Sequence, residues 1–554
     1  MNGELNEIRV VIGLDFGTTF SGFAYCHVKE SQNVTSNVIW QGEAGQLKTN
    51  TVLKYDGEYN RVISWGVPAL AKKPSRRRQV NEGSKPIEKF KLHLGDIPDK
   101  YKPKLPSNIE YERAITDYLR KIGEVIKDTV KKHWPTINDY FKSVLLVLTI
   151  PADFSEKSKA IMRRCALNAE LINTEDSVNL QFTTEPEAAA VYCMKNDLKT
   201  GDNFMIVDCG GGTVDLTTRK LINSDQLIEM TERAGGFCGS TFIDDEFINY
   251  LRKKLGDEPM DLLRDKNYGQ MQYLIQQFCK SGKIPFTGDD PNFIYELDIQ
   301  ESAPTLMKYI TDVKIKRSLE KDEWVIEIDS ETMESIFEPA IQQILHLIDA
   351  QFNSNQEFCS AMFLVGGFSE SKYLQKRIKQ EFRYRANNNI SVPPQPMAAI
   401  ARGAAMYGLS IGSVISSRVL KYTYGVAYGR KWEKGDPIDK KTPDGMIINL
   451  FKRLAKRGNK MNINEEVKCT RVPMYSDQTR VTHHIYYTKE YNATYCDEPS
   501  MKLLGEFSVD LPGSGTDRSV LFGMAFGKME VTATSKDKQT GQSYKTTFKF
   551  NFDI

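Results

Sequence analysis

From residue 10 to about Leu409 the hydrophobic positions follow two alternating rhythms. Residues 10–14, 144–150, 204–207 and 361–365 are short, continuous apolar runs, the pattern of strands buried on both faces. Ile115, Leu119, Ile122, Ile126 and Val130 recur at helical spacing and predict an amphipathic helix ending near Trp134-Pro135. Ser155, with Ser158 three residues on, reads as the N-cap of a further Lys/Arg-rich helix. This mixture predicts an α/β fold. Beyond Leu409 the rhythm changes, and after about Arg457 no helical period of useful length remains. Alternating strand patterns take over at Tyr424 onward and at 467–472, 480–488, 529–533 and 544–552. Turns such as Gly513-Ser514-Gly515 and Lys538-Gln539-Thr540-Gly541 separate them, which predicts a β-sandwich-like C-terminal domain. The boundary, near residues 408–417, is small and apolar rather than charged, so it could dock against a partner domain.

Composition narrows the class. The 554 residues suggest three or four domains. With 40% hydrophobic and 26% charged residues the chain is globular rather than disordered. Lys and Arg number 74 against 72 Asp and Glu, so the basic surplus expected of a dedicated nucleic-acid binder is missing. Residues 1–14 show no secretory leader, and the purest apolar stretch, 144–148, is far short of the roughly 20 residues needed to span a bilayer. The nine cysteines are scattered and form no Cys-x-x-Cys, which predicts reduced core thiols in a cytoplasmic protein, with the nucleus left open. The sequons at Asn33 and Asn492 then carry no meaning.

Three glycine-bearing turns carry the candidate chemistry. Val10-Val11-Ile12-Gly13-Leu14 delivers Asp15 to a strand end, and Gly17-Thr18-Thr19 follows before a second strand. Small residues let backbone approach phosphate oxygens, the Thr hydroxyls add donors, and the Asp would hold a hydrated Mg²⁺ or the attacking water. Phe204-Met205-Ile206-Val207-Asp208 repeats the design, followed by Cys209-Gly210-Gly211-Gly212-Thr213 and Val214-Asp215-Leu216. An ordinary hairpin turn does not explain an acid before the glycines in both copies. The pair predicts a duplicated domain that grips one triphosphate between its halves. Between the two hairpins, Glu185 ends a strand and Pro186 starts a helix. Gly366-Gly367 closes a further strand and is read as opening a helix over 369–383, a placement that suits an adenosine or an α-phosphate.

Rival motifs fail on context. Asp15-Phe16-Gly17 spells the kinase metal motif, but only 14 residues precede it. No P-loop pattern is present. His483-His484 would face opposite sides of a strand and reads as structural. Lys72-Lys73 with Arg76-Arg77-Arg78 reads as a solvated basic loop.

Taken together, these motifs resemble the actin-type ATPase superfamily. Within it the chain is most similar to the seventy-kilodalton heat-shock protein family, and specifically to its divergent twelve-A/B-like branch. The resemblance runs over essentially the whole chain, including 523–541 near its end. It implies a duplicated, ribonuclease H-like ATPase in two lobes. These would be 1–200, with a small subdomain around 40–110, and 201–410, with a subdomain around 240–330. A substrate-binding-like β domain over 411–554 would follow. The chain stops at Asn551-Phe552-Asp553-Ile554, so the resemblance predicts no helical lid and no acidic tail. Asp15 and Asp208 would organise Mg²⁺ and water. Gly17, Thr18, Thr19 and Gly210, Gly211, Gly212 and Thr213 would wrap the phosphates, and Gly366-Gly367 would border the nucleotide. Glu185 would position the nucleophile. The family's catalytic lysine, followed four residues on by Gly, matches Lys91 with Gly95, and Lys89 is the second choice.

The resemblance implies ATP or ADP with Mg²⁺ as cofactors, with unfolded or specific client polypeptides and co-chaperones as partners. The departures qualify this. The family's adenine-side positions match Lys280, Lys283-Ile284 and Thr287; the third turn continues Phe368 and Glu370; a late Asp is replaced by Met397. Each lost contact is worth roughly 1–3 kcal/mol, and 1.4 kcal/mol is tenfold in affinity. The expectation is weaker or less adenine-selective binding in an atypical chaperone with a weak ATPase. An ATP-gated binding or scaffold protein with little hydrolysis stands as the alternative. A small-molecule kinase of the same superfamily is disfavoured by the β-rich tail.

Overall fold

The computed structural model describes residues 7–74, 84–99, 102–152, 154–195, 198–355, 357–410, 414–463, 465–526 and 529–547. Arg76-Arg77-Arg78, Gly412-Ser413 and residues 551–554 lie outside that set. The chain is a mixed α/β protein with several sheets, and its contacts fall into two compact units. One comprises 1–154, 161–218 and 234–411; the other comprises 155–160, 219–233 and 412–554.

In the first unit two sheets share one plan. The first is built on β1 (Val10–Phe16) and β2 (Phe20–His27), joined by a tight antiparallel turn. Residues Thr49–Asn50 pair with the start of β2. The helix α1 (Tyr111–His133) buries Ile115, Leu119, Ile122, Ile126 and Val130, as their spacing predicts. Beyond it, β3 (Val144–Ile150) lies parallel to β1, and β4 (Leu180–Thr184) lies parallel to β3. Every residue of β1 and β3 is buried, which accounts for the apolar runs 10–14 and 144–148. Helix α2 (Glu185–Cys193) follows β4 directly: the Thr184 side chain accepts from Glu187 N and Pro186 sits in the first turn.

The second sheet is built on β5 (Asn203–Cys209) and the start of β6 (Val214–Asn223); from Arg219 on, β6 belongs to the second unit, where β7 (Gln226–Glu229) pairs with it. Strand β8 (Ala361–Val365) lies parallel to β5, and Ile390–Ser391 lies parallel to β8. Both sheets therefore have two parallel strands beside a hairpin, in the orders β4-β3-β1-β2 and Ile390–Ser391-β8-β5-β6. The core on the second sheet gathers Met205, Val207, Leu216, Met362 and Leu364 with helix residues such as Ile341, Ile344 and Leu374.

The helix expected over 369–383 starts later. A 3-10 turn occupies Gly367–Glu370, and α3 (Lys372–Phe382) begins after it, its first turn capped by the Ser371 hydroxyl accepting from Leu374 N. Ser369 Oγ donates to Val365 O at 2.5 Å and Gln375 Nε2 donates to Ser369 O at 2.7 Å, which fixes the turn in that form. The Gly366-Gly367 pair is thus separated from the helix N-terminus.

The second unit contains two four-stranded antiparallel sheets. One runs in the order Met446–Ala455, Thr423–Lys431, Arg480–Thr488, Lys502–Asp510, the other Glu466–Arg471, Val520–Ala525, Thr532–Asp537, Ser543–Thr547. Tyr424, Val426 and Ile485 from the first and Cys469, Phe522 and Met524 from the second share one apolar cluster. The strand expected over 529–533 begins at Thr532, and 446–455, 502–510 and 520–525 are strands that the pattern did not reveal. Strand β9 (Ile415–Val419), within the boundary segment, pairs parallel with β7 and antiparallel with Lys460–Asn462. His483 is buried and His484 points outward to Glu506 at 3.1 Å. Among the described residues no helix is long and apolar enough to cross a membrane.

Candidate functional site

The two hairpins of the first unit meet at their turns. In the first, Asp15 ends β1 opposite Gly22, and the chain reverses through Gly17-Thr18-Thr19. Thr51 clamps this turn from outside: its hydroxyl donates to Gly17 O at 2.9 Å, shares a hydrogen bond with Ser21 Oγ at 2.8 Å, and its N–H donates to Thr19 O at 2.8 Å. In the second, Gly210 N donates to Thr213 O at 2.9 Å, while Ser240 N and Thr241 N donate to Gly210 O and Gly211 O at 3.1 and 2.9 Å. The tips touch. A Cβ on Gly211 would stand 2.0 Å from Thr19 Oγ1, and one on Gly212 would stand 2.7 Å from Thr18 Oγ1. The glycines are required because the opposite turn occupies the space a methyl would need.

Gly366 closes a third side. Its φ of +83° is left-handed, and a Cβ there would lie 2.4 Å from Asp208 Oδ1. Gly367 borders Met397 instead. The structure thus brings Gly17 to Thr19, Gly210 to Thr213, Asp208 and Gly366 into one neighbourhood.

Three carboxylates and two ammonium groups line it. Asp15, Glu185 and Asp208 are all buried. Lys91 Nζ donates to Glu185 Oε1 at 2.6 Å, and both side chains are almost fully enclosed. Lys91 lies on the 3-10 turn Phe90–Leu94. Lys89 heads that turn in a left-handed conformation and sends its Nζ to Asp245, 3.6 Å away. A second buried lysine, Lys48, donates to Asp15 Oδ2 at 2.5 Å. Lys48 was absent from the sequence-based candidates: it sits in the polar stretch Gln46-Leu47-Lys48-Thr49-Asn50, which carries no motif.

The electrostatics follow from enclosure. Burial, then the charges of Glu185, Asp215 and Asp15, push the Asp208 carboxyl well above the ordinary carboxylate range, with Lys48 opposing. Burial also raises Glu185; Lys91 pulls it back and Asp15 pushes it further up. For Lys48 burial acts to lower the pKa, but the facing Asp15, Asp208 and Glu185 carry it above the usual lysine value. Asp208 Oδ1 has no hydrogen-bond partner among the described residues.

The positions matched to the adenine side fall into two groups. Lys283, on a π-helical turn at Phe278–Lys283, donates to Asp244 Oδ1 at 2.5 Å and to Ser240 O at 3.2 Å, directly behind the second hairpin. Lys280 and Ile284 are exposed on the same turn. Phe368 is buried, and half-buried Met397 lies beside Gly367.

Comparison with known proteins converges on one group. "Heat shock 70 kDa protein 12A" of Mus musculus is 25% identical over 99% of this chain and 92% of its own length. "Heat shock 70 kDa protein 12B" of Homo sapiens is 23% identical over 98% of the chain and 91% of its own length. "Chaperone protein HscA" of Buchnera aphidicola is 22% identical over 76% of the chain and 74% of its own length. The family model described as Hsp70 protein matches residues 11–419, a span that holds both touching hairpins and every charged group of the cluster. The chain belongs to the Hsp70 family.

Proposed function

We propose that this protein is an atypical Hsp70-type chaperone whose first unit binds ATP with Mg²⁺ and hydrolyses it slowly. Closure of two lobes on the nucleotide would be coupled to polypeptide binding by the β-rich second unit. The observation that carries the reading is the apposition of two acid-then-glycine turns with Asp15, Glu185, Asp208, Lys48 and Lys91 gathered beside them.

The residues present suit a hydrated magnesium ion and a polyphosphate. Asp208 Oδ1 is a buried carboxylate oxygen without a hydrogen-bond partner among the described residues, and Gly366 leaves the space beside it clear. Among the described residues no three His, Cys, Asp or Glu side chains converge as a direct ligand set. Mg²⁺ keeps several of its waters, so the carboxylates of Asp15 and Asp208 with a polyphosphate would suffice to hold it. Asp15 and Asp208 would hold the ion, which when bound supplies positive charge to the polyphosphate. Gly17, Thr18, Thr19 and Gly210 to Thr213 present backbone N–H groups and hydroxyls to the phosphates. Glu185, buried and tied to Lys91, would orient the attacking water, and Lys91 would stabilise charge developing on the transferred phosphoryl group. Half-buried Met397 beside the third turn supplies apolar surface and Phe368 is taken into the core, so neither offers a charged contact to the base, and affinity would be weaker and adenine selectivity lower than in the typical chaperone.

Phosphate release should fall about 100-fold or more in Asp208→Asn and in Lys91→Ala. Rates equal to wild type in both would remove the catalytic assignment. A second reading, ATP-gated binding with little hydrolysis, is favoured by the same apolar replacements. Single-turnover hydrolysis separates it: nucleotide bound and retained as ATP would decide for the gate.

A further inference from the structure

Lys48 is held in place by the first hairpin itself. Thr49 and Asn50 pair with Ser21 and Phe20, and Thr51 N–H donates to Thr19 O at 2.8 Å. Gly22 lies under the lysine stem: a Cβ there would stand 2.7 Å from Leu47 O and 2.8 Å from Lys48 Cγ. A glycine inside a strand, away from any turn, marks such a close approach. The lysine therefore crosses the strand beneath cover rather than reaching for solvent. Its side chain is 8% exposed, and its ammonium is 2.5 Å from an oxygen of Asp15, which is 2% exposed. The other pairings in the cluster are settled differently, with Lys91 on Glu185 and Asp208 Oδ1 left without a hydrogen bond.

Asp15 is the acid that the proposed function assigns to the metal, and it already has a cation of its own. An ammonium and a divalent ion compete for the same carboxylate. We propose that Lys48 is a resident counter-ion of Asp15 that disfavours divalent metal in the nucleotide-free protein and moves onto the polyphosphate when nucleotide and metal arrive together. The inference rests on the reading of this cluster as a polyphosphate site. The polyphosphate brings enough negative charge to satisfy both cations, so Lys48 can leave Asp15 without being stranded in a buried place. The consequence is ordered chemistry: metal enters with the nucleotide rather than before it, and a lysine contact persists when metal is withheld.

The test uses Mn²⁺ as the probe, followed by its electron paramagnetic resonance signal in nucleotide-free full-length protein. Removing a facing charge changes the binding of a cation about tenfold or more. Lys48→Met should therefore bind Mn²⁺ about tenfold more tightly than wild type. Lys48→Arg, which keeps the charge, should stay close to wild type, and Lys48→Met combined with Asp15→Asn should lose the gain. Lys48→Gln, which keeps a donor to Asp15 without the charge, is the paired variant should the methionine protein fail to fold. In a parallel arm, binding of a fluorescent ATP analogue is measured in EDTA, where Lys48→Met should be about tenfold weaker than wild type. Equal Mn²⁺ affinities in wild type and the neutral variants, with nucleotide binding intact, would overturn the role of Lys48. Failure of wild type to bind the analogue with or without Mg²⁺ would overturn the underlying nucleotide reading instead.

Discussion

Asp208 is a charge set where the fold alone would favour a neutral group. Burial and three neighbouring carboxylates raise its pKa well above the ordinary value, so the folded state favours its protonated form. The stabilisation from that preference is complete below the unfolded value, about 3.9, and is lost as pH rises through the higher folded value. Nucleotide-free Asp208→Asn should accordingly melt above wild type near neutral pH, with the gain growing as pH rises above about 3.9. Differential scanning fluorimetry across that range checks it, and an unchanged or lower melting temperature would refute it. At this scale much of the cluster's membership could be read from sequence. Asp15 and Asp208 come next to last in strands that run into glycine turns, Glu185 opens the helix after β4 beside a proline, and Lys91 has its glycine four residues on. Lys48 could not be found in that way, because its partner is 33 residues away and its own segment has neither period nor motif. The indirect cue was Gly22, a glycine inside a strand with no turn to make.

Among elements, β9 departs furthest from its sequence. Read as a small apolar boundary, Ile415–Val419 is a strand laid along β7. Its end is fixed by a buried acid: Val419 N–H donates to Glu229 Oε2 at 2.7 Å, while Arg233 and Arg219 donate to Oε1 at 2.7 and 3.1 Å. Arg219 and Glu229 are fully enclosed. Burial works to raise Glu229, but the two guanidiniums hold its carboxyl below the ordinary value. Removing one partner from such a group leaves uncompensated charge. Glu229→Gln should therefore cost about 3 kcal/mol, seen as a lower urea midpoint for the second unit. A shift below about 0.5 kcal/mol, the range of ordinary surface substitutions, would show that the cluster contributes no more than exposed polar contacts. Hydrophobic patterning could not reveal this arrangement, since it places charges outside. It also missed Met446–Ala455, whose pairing with Thr423–Lys431 carries two register shifts that break the two-residue alternation. The fully buried strands β1, β3, β5 and β8 were legible because each holds an apolar run, 10–14, 144–148, 204–207 or 361–365, that no polar side chain interrupts.

For the whole molecule, two compact units mean that one free energy of unfolding does not describe the chain. The second unit should respond to acid through His483. That ring is buried against Phe522, its Nε2 faces Ser535 Oγ at 3.3 Å, and burial with Arg471 and His484 lowers its pKa to about 3. A histidine whose folded value is depressed leaves the unfolded chain binding more protons. Stability present above about 6.5 is then lost as pH falls toward 3, at about 1.4 kcal/mol per unit. Urea unfolding at pH 6.5 and 5.5 should show that loss in wild type and a flatter profile in His483→Gln; parallel profiles would exclude the ring as the cause. The nine cysteines, all unpaired and eight of them buried, add no cross-link to either unit.

The touching turns set a tempo. Where Thr18 and Thr19 rest on Gly212 and Gly211 there is no long side chain to rotate out of the way. Making room for a guest between them requires the main chain on at least one side to shift. Rotamer hops take picoseconds to nanoseconds, whereas collective backbone displacements take microseconds to milliseconds. For the guest proposed above, entry and exit would thereby be governed by the slower clock, and a bulkier residue at either tip would alter how long it stays before altering how strongly it is held.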